Sequence, residues 1–377
     1  MSVTLPEHAD VIIIGGGISG IGAACQIVQK MPGLSYVILE ARENIGGTWD
    51  FYKFPGMRTD SDMFTMAYSF NPWSDNKSSA SAEKVLAYLV ETAEKHDVKR
   101  RVRLNERVST AKWNSGRNEW TVTSNCKGET HQFTSTYMFM CAGFSDFSKV
   151  YTPDFKDANL YQGTVVNPQM WPSDLDVKDK EILVIGSGAT AVTIVPALAE
   201  TAGHVTMLQR SPTYIYQTAN LDPIAAFCSK YLPASLAVKL MRAKFIFEQQ
   251  LVYLVAKTFP DFLKRLLVGG IRRELGRNYD VKTHFTPKYN VLQQRLCLSP
   301  DFAFTKCITD RGVTVVTDSV ERFNATGVVL ASGQELKADI IVTATGFNLQ
   351  ALGGIEIEVD GVQYKDMTKS CMYKGTI

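Results

Sequence analysis

The stretch DVIIIGGGISGIGAACQIVQKMPGLSYVILE, residues 10–40, decides the fold. Its opening run at 11–14 is wholly apolar and mostly β-branched, which reads as a buried strand. Three glycines follow at once, and the next residues carry helical spacing up to the stop signal Pro32-Gly33. SYVILE is a second strand. Strand, glycine turn, helix and strand make one βαβ unit of the dinucleotide-binding kind. Gly15, Gly17 and Gly20 fit the spacing G-x-G-x-x-G, with Ser19 in the same turn. Gly15 permits the tight turn, Gly17 lets a pyrophosphate approach the backbone, and Gly20 lets helix and strand pack closely. The helix N-terminus then offers unpaired N–H groups and a partial positive charge to that anion. Glu40 ends the second strand, where a carboxylate can accept hydrogen bonds from a ribose diol.

A second unit opens with EILVIG at 181–186. Gly186 and Gly188 hold the first two glycine places, Ala189 and Thr190 follow, and Ala191 takes the third. A helix over 188–202 and a strand over 204–210 complete it. This strand ends in Arg210-Ser211 instead of an acid. A carboxylate there would repel a ribose 2′-phosphate, whereas a guanidinium binds one bidentately. The first nucleotide should therefore carry a free ribose and the second a 2′-phosphate. FAD and NADPH fit that pair.

Working outward, 81–96 reads as an amphipathic helix. Four short strands (VSTAKW, EWTVTS, QFTS and YMFMCAG) between 102 and 142 read as a β-meander. Residues 145–180, rich in Asp, Pro and Tyr, mark a junction. Residues 221–280 read as consecutive helices, and strands return at 313–323, 327–336 and 338–346. The fold class is α/β: two Rossmann-like dinucleotide-binding domains, a β-meander and a helical insertion. The expected divisions are 1–146 and 336–377 for the FAD-binding domain, the latter an incomplete return. Residues 147–220 and 286–335 make the NADPH-binding domain, with 221–285 as the insertion.

Composition excludes other classes. In 377 residues, 40 Lys and Arg stand against 38 Asp and Glu, a net +2 without the basic bias of a nucleic-acid binder. The seven cysteines contain no C-x-x-C pair, and the five histidines have no metal spacing, so no metal site is expected. No apolar run is long enough to span a bilayer, and the N-terminus lacks a signal peptide's basic start. A cytoplasmic protein is the expectation. Residues 221–280 hold ten Lys and Arg against five Asp and Glu, a net +5. A helical cap over an active site is the preferred reading of this basic, apolar segment. A peripheral membrane contact is the alternative.

After the first βαβ unit come Gly46-Gly47-Thr48-Trp49 and then FPGMRTDSDM at 54–63, a glycine turn, an aromatic anchor and a Pro-Gly turn. Asp60 or Asp62 suits a helix N-cap. GGTW followed by FPG-x-R-x-D resembles the flavin-site signature of the Baeyer–Villiger monooxygenases and other class B flavoprotein monooxygenases. YQGTVVNPQMWP at 161–172 is similar to their fingerprint F-x-G-x-x-x-H-x-x-x-W-P, with Tyr161 for Phe and Asn167 for His. GSGATAVTIVPALAE at 186–200 and MLQRSPTYI at 207–215 are closest to the subgroup that includes the mycobacterial ethionamide-activating monooxygenase.

The resemblance implies oxygen insertion beside a ketone carbonyl, or oxygenation of sulfur or nitrogen, by a C4a-peroxyflavin formed from FAD, NADPH and O₂. It implies cofactor contacts at Gly47, Thr48, Trp49, Asp60 and Val108 besides the glycine-turn residues. It also implies a catalytic Arg295, in the context Gln294-Arg295-Leu296, oriented by Asp60. The substrate is expected to be a small-molecule apolar ketone, long-chain or aryl, or a thio compound or amine. Asn167 cannot carry a proton, and relatives continue past Ala344-Thr345-Gly346, so a C-terminally truncated chain with weakened coupling is expected. The rival readings are an NAD(P)H-dependent flavin reductase or oxidase, and a nucleotide-binding fragment without catalysis.

Overall fold

A computed structural model describes residues 8–364. Every residue of Val11–Ile14 is buried, as a wholly apolar strand with neighbours on both edges requires. Tyr36–Leu39 runs parallel on one side and Tyr137–Met140 parallel on the other, and Val102–Arg103 extends the sheet beyond Tyr36–Leu39. The helix Ile18–Lys30 connects the first two strands and buries Ile21, Ala24, Cys25 and Ile27. Arg107–Asn114, Glu119–Cys126 and Glu129–Ser135 form an antiparallel meander. Glu356–Val359 pairs parallel to its first strand. Ile12, Val37, Ala111, Val122 and Phe133 share the core beneath. These elements belong to one unit made of residues 8–51, 83–149 and 348–364.

The sequence reading placed YMFM, 137–140, in the meander. The structure corrects this: the segment leaves the meander and pairs in parallel register with Val11–Ile14. The reason is visible in the residues. The other three strands alternate polar and apolar positions, whereas this one is a continuous apolar run; on the open edge beside Val11–Ile14 it packs Met138 and Met140 on the core and leaves Tyr137 and Phe139 exposed.

The second unit comprises residues 52–82 and 150–347. Its sheet is entirely parallel, in the order Thr314–Thr317, His204–Gln209, Glu181–Ile185, Ile340–Thr343, Thr164–Val166. The helix Ala189–Leu198 crosses from Glu181–Ile185 to His204–Gln209 and buries Ala191, Val192, Ile194, Val195 and Leu198. A three-stranded antiparallel ribbon, Val320–Asn324, Gly327–Leu330 and Glu335–Lys337, precedes the last sheet strand.

That last strand changes the expected boundary at 335/336. Ile340–Thr343 is buried throughout and lies between two strands of the second sheet, so 336–347 belongs with the second unit. Its run of apolar residues needs covered faces and two paired edges, which the slot beside Glu181–Ile185 supplies. The chain rejoins the first unit only from 348. Residues 365–377, the end of the expected return, lie outside the described residues.

Four helices fill 221–285: Pro223–Tyr231, Ala234–Thr258, Pro260–Leu275 and Val281–Phe285. Asp222 caps the first, accepting from the Ala225 amide at 2.8 Å, and Pro223 sits where no N–H is needed. Their inner faces bury Ala225, Cys228, Ala237 and Met241 in one cluster and Ala256 and Leu263, against Tyr214 and Val291 of the flanking chain, in another. No helix among the described residues is long and apolar enough to cross a membrane.

Candidate functional site

The two glycine turns are built alike. Gly15 has φ +106°, and a Cβ there would lie 2.4 Å from the Cys141 carbonyl oxygen. Gly186 has φ +143°, and its Cβ would lie 2.2 Å from the Ala344 carbonyl oxygen. Each turn thus passes against the end of the neighbouring parallel strand, so a side chain is excluded by both conformation and space. A Cβ on Gly20 would come 1.9 Å from the Gly15 oxygen, which makes glycine obligatory for closing helix on strand.

Gly17 and Gly188 differ. Both have ordinary extended backbones, and each is the N-cap residue of its helix without a side-chain cap. A Cβ at Gly17 would meet only Gly47, at 3.5 Å, and one at Gly188 nothing within 4 Å. Neither glycine is demanded by the protein's own packing. Each leaves open space before uncapped N–H groups, where an anion is favoured. These features fit a pyrophosphate at each turn.

Glu40 is buried, and its carboxylate accepts from the Gly16 amide at 2.6 Å and from the Arg42 amide at 2.9 Å. It therefore holds the first turn as well as ending the strand. Gly47, Thr48 and Trp49 lie beside this turn: the Gly46 amide donates to the Gly16 carbonyl at 2.9 Å, and Thr48–Phe51 is one helical turn. Thr48 and Ser19 are exposed. Arg42 supports the loop by donating to the Gly47 carbonyl and pairing with Asp50 at 2.8 Å. Sequence reasoning missed Arg42 and Asp50; their short separation across the glycine pair was the available signal. Val108 is buried in the core under the meander, close along the chain to Glu106, whose amide donates to the Glu40 carbonyl at 2.8 Å.

At the second turn, the Ser187 hydroxyl donates to the Ser211 carbonyl at 3.0 Å, drawing the end of His204–Gln209 to the turn. Ala189 and Thr190 are half-buried in the first turn of the helix. Arg210 is exposed beside them, and no ion pair holds it among the described residues.

The FPG turn rests on the second βαβ helix. Gly56 has φ +74°, and a Cβ there would lie 2.8 Å from the Ala197 Cβ and 2.9 Å from the Thr193 carbonyl oxygen. Beyond it, Asp62 is the helix N-cap, accepting from the Thr65 amide at 2.7 Å. This frees Asp60, whose Oδ2 lies 2.5 Å from Nη2 of Arg295. Arg295 reaches that position because Cys297–Pro300, which follows it, pairs in parallel with Ile215–Thr218.

Arg58, the arginine of FPG-x-R-x-D to which the sequence reading gave no task, ties the two segments together. Its guanidinium donates to the Thr59 carbonyl at 3.0 Å and to the Leu298 carbonyl at 2.7 Å. Burial lowers its pKa below the usual guanidinium value, with Asp60 opposing. Gln249 donates to Asp62 at 2.8 Å, and Arg242 to the carbonyls of Phe64 and Ala67, anchoring the Ala234–Thr258 helix to the same segment.

In the 161–172 segment, Tyr161 donates to the Ala338 carbonyl at 2.9 Å, and burial raises its phenol to about 12. A Cβ on Gly163 would lie 2.6 Å from the Asp339 carbonyl oxygen and 2.3 Å from the Tyr161 hydroxyl, so the backbone itself excludes a side chain. Asn167 accepts from the Gln169 amide and donates to the Tyr151 carbonyl, both at 2.9 Å. It shapes the turn with both halves of its amide.

A family model described as flavin-binding monooxygenase-like matches residues 8–352. The chain is 44% identical to the FAD-containing monooxygenase EthA of Mycolicibacterium smegmatis, over 98% of this chain and 75% of that protein. It is 39% identical to the probable FAD-binding monooxygenase AlmA of Acinetobacter baylyi, over 99% of this chain and 75% of that one. Among solved structures, an oxidised steroid monooxygenase bound to NADP superposes with a TM-score of 0.74 at 25% identity, covering 93% of this chain and 73% of that one. Cyclohexanone monooxygenase in an open form shares the fold, with a TM-score of 0.73 over 94% of this chain and 77% of its own. With the glycine turns and the Asp60–Arg295 pair already in place, these likenesses establish that the chain belongs to the flavin-binding monooxygenase-like family and is a flavin-dependent monooxygenase.

Proposed function

We propose that the chain uses FAD, NADPH and O₂ to insert one oxygen atom beside a ketone carbonyl, giving an ester or lactone, and to oxygenate soft sulfur or nitrogen centres. The balance is ketone, O₂, NADPH and a proton to ester, NADP⁺ and water. The observation that carries the reading is the Asp60–Arg295 pair in a chain with two open glycine turns. FAD, when bound and reduced by NADPH, supplies the electrons with which O₂ is activated.

The residues of this chain have separate tasks in that reading. Gly15, Gly17, Ser19 and Gly20 admit the FAD pyrophosphate to the N-terminus of Ile18–Lys30. Glu40 receives the ribose, and Gly47, Thr48 and Trp49 border the cofactor. Gly186, Gly188, Ala189 and Thr190 admit the NADPH pyrophosphate, while Arg210 and Ser211 select the 2′-phosphate. Arg295 holds a permanent positive charge where negative charge develops on oxygen and on the substrate carbonyl. Asp60 orients its planar guanidinium.

The substrate in this reading is a small-molecule apolar ketone, thio compound or amine. The enzyme works in the cytoplasm, and the exposed apolar residues of 221–280 favour a peripheral membrane contact there over the cap. The test is a screen of ketones and sulfides for NADPH-dependent product by the purified protein, with its flavin absorbance recorded first. Bound flavin with no oxygenated product from any of them would overturn the proposal.

A further inference from the structure

We propose that the outer face of the helices Pro223–Tyr231, Ala234–Thr258 and Pro260–Leu275 docks on an anionic lipid surface. This deepens the reading of 221–280 as a membrane contact and names the face, the residues and the lipid charge.

Ala234–Thr258 buries Ala237, Met241 and Ala256 on one side. Leu236, Leu240, Phe247, Leu251 and Leu254 are all exposed, Phe247 to 66%. At 100° per residue these five fall within roughly 60° of one another, a continuous stripe along a helix about 37 Å long. The preceding helix adds exposed Phe227 and Tyr231, and the following one Phe262 and Leu266. An apolar area spread over three helices, facing water, is a contact surface.

One flank of it is purely basic. Lys239 and Lys257 fall on the same flank of the stripe, and neither has a carboxylate partner among the described residues. On the other flank Lys244 pairs with both Asp222 and Glu248, a net −1. A recess of about 520 Å³ on Pro260–Leu275 is lined by Lys264, Arg265, Arg272 and Lys282, with Asp261 as the one acid. It is large enough for a phosphate headgroup. Long basic side chains beside an apolar stripe suit a bilayer boundary, with stems in the apolar layer and charges at the phosphates. An antiparallel second copy would bring the same cations against themselves, which disfavours that pairing. The surface therefore fits a partner that is broad, apolar and anionic at once.

The experiment is vesicle flotation of the flavin-loaded protein, with phosphatidylcholine alone and with phosphatidylcholine mixed with phosphatidylglycerol. NADPH oxidation is measured on the same samples. Binding about tenfold or more tighter to the anionic vesicles, and weakened by salt, is expected. The double variant Lys239→Glu/Lys257→Glu should lose that preference, and Phe247→Ser/Leu254→Ser should lose binding, both with wild-type NADPH oxidation. Equal binding to both vesicles would keep the membrane contact and overturn the charge assignment. No binding, with NADPH oxidation intact, would overturn the docking and leave the monooxygenase reading standing. Self-association abolished by Phe247→Ser/Leu254→Ser would make a second copy the occupant and overturn it too. Anionic-selective binding without NADPH oxidation would support the docking and count against the enzymatic reading.

Discussion

Asp60 and Arg295, remote in sequence, meet with Oδ2 and Nη2 2.5 Å apart, and the arginine side chain of the pair remains 66% exposed. An exposed ion pair adds little to stability. An arginine held in place yet left accessible is suited instead to a ligand. Arg295→Ala should leave NADPH oxidation largely intact while oxygenated product falls by about 10²–10³ and hydrogen peroxide rises. Lysine should restore only part, because it lacks the planar fork that a carboxylate orients. Product and peroxide yield per NADPH consumed decide it; near-wild-type ester formation by the alanine variant would remove Arg295 from the reaction.

Gly17 and Gly20 should respond differently to substitution. Gly17 has an extended backbone and room for a Cβ, so Gly17→Val should fold but lose flavin, because its side chain occupies the open space. Gly20→Ala should instead lose the fold, since its Cβ overlaps the Gly15 oxygen. Flavin absorbance and thermal unfolding of each variant separate the two effects. Full flavin occupancy in Gly17→Val would show that the turn does not cradle the cofactor.

Arg210 should set the preference between NADPH and NADH. Removing one charge-assisted phosphate contact costs about 1.5–3 kcal/mol, or about ten- to a hundredfold in affinity. The ratio of dissociation constants for the two nucleotides should shrink by that factor in Arg210→Ala, with the NADH value nearly constant. A ratio that does not move would assign the 2′-phosphate elsewhere.

His284 gives the second unit an acid sensitivity. Burial lowers its pKa below the ordinary 6.5, with Asp280 opposing, and its ring nitrogen Nδ1 lies 2.8 Å from the Thr317 hydroxyl. The unfolded chain then binds a proton that the folded one resists, so stability falls as pH drops through 6.5 toward the folded value. Above that range the effect vanishes. Urea unfolding between about pH 7.5 and about pH 5 should show a smaller loss in His284→Gln than in wild type. Parallel curves would exclude His284 as a source.

Both βαβ units were legible because their determinants are local. A strand of apolar β-branched residues, glycines at fixed spacing and a helix of regular period all lie within about 30 residues, and steric exclusion at Gly15 and Gly186 leaves little choice of turn. The partnership of Asp60 with Arg295 was carried by resemblance; residues alone left Asp60 and Asp62 equal as caps. The tertiary structure separated them, giving the helix to Asp62 and leaving Asp60 to Arg295. It also decided where YMFM and Ile340–Thr343 pair: Ile340–Thr343 is buried between two strands, whereas YMFM takes an edge with Tyr137 and Phe139 exposed, and an apolar run alone names neither neighbour. Arg58 stands in the FPG-x-R-x-D motif, but its task was not legible there: it is shown by the Leu298 carbonyl that folding brings to its guanidinium. Local sterics wrote the nucleotide turns into the sequence, while pairings between distant segments, which depend on which surfaces meet, existed only once the chain had folded.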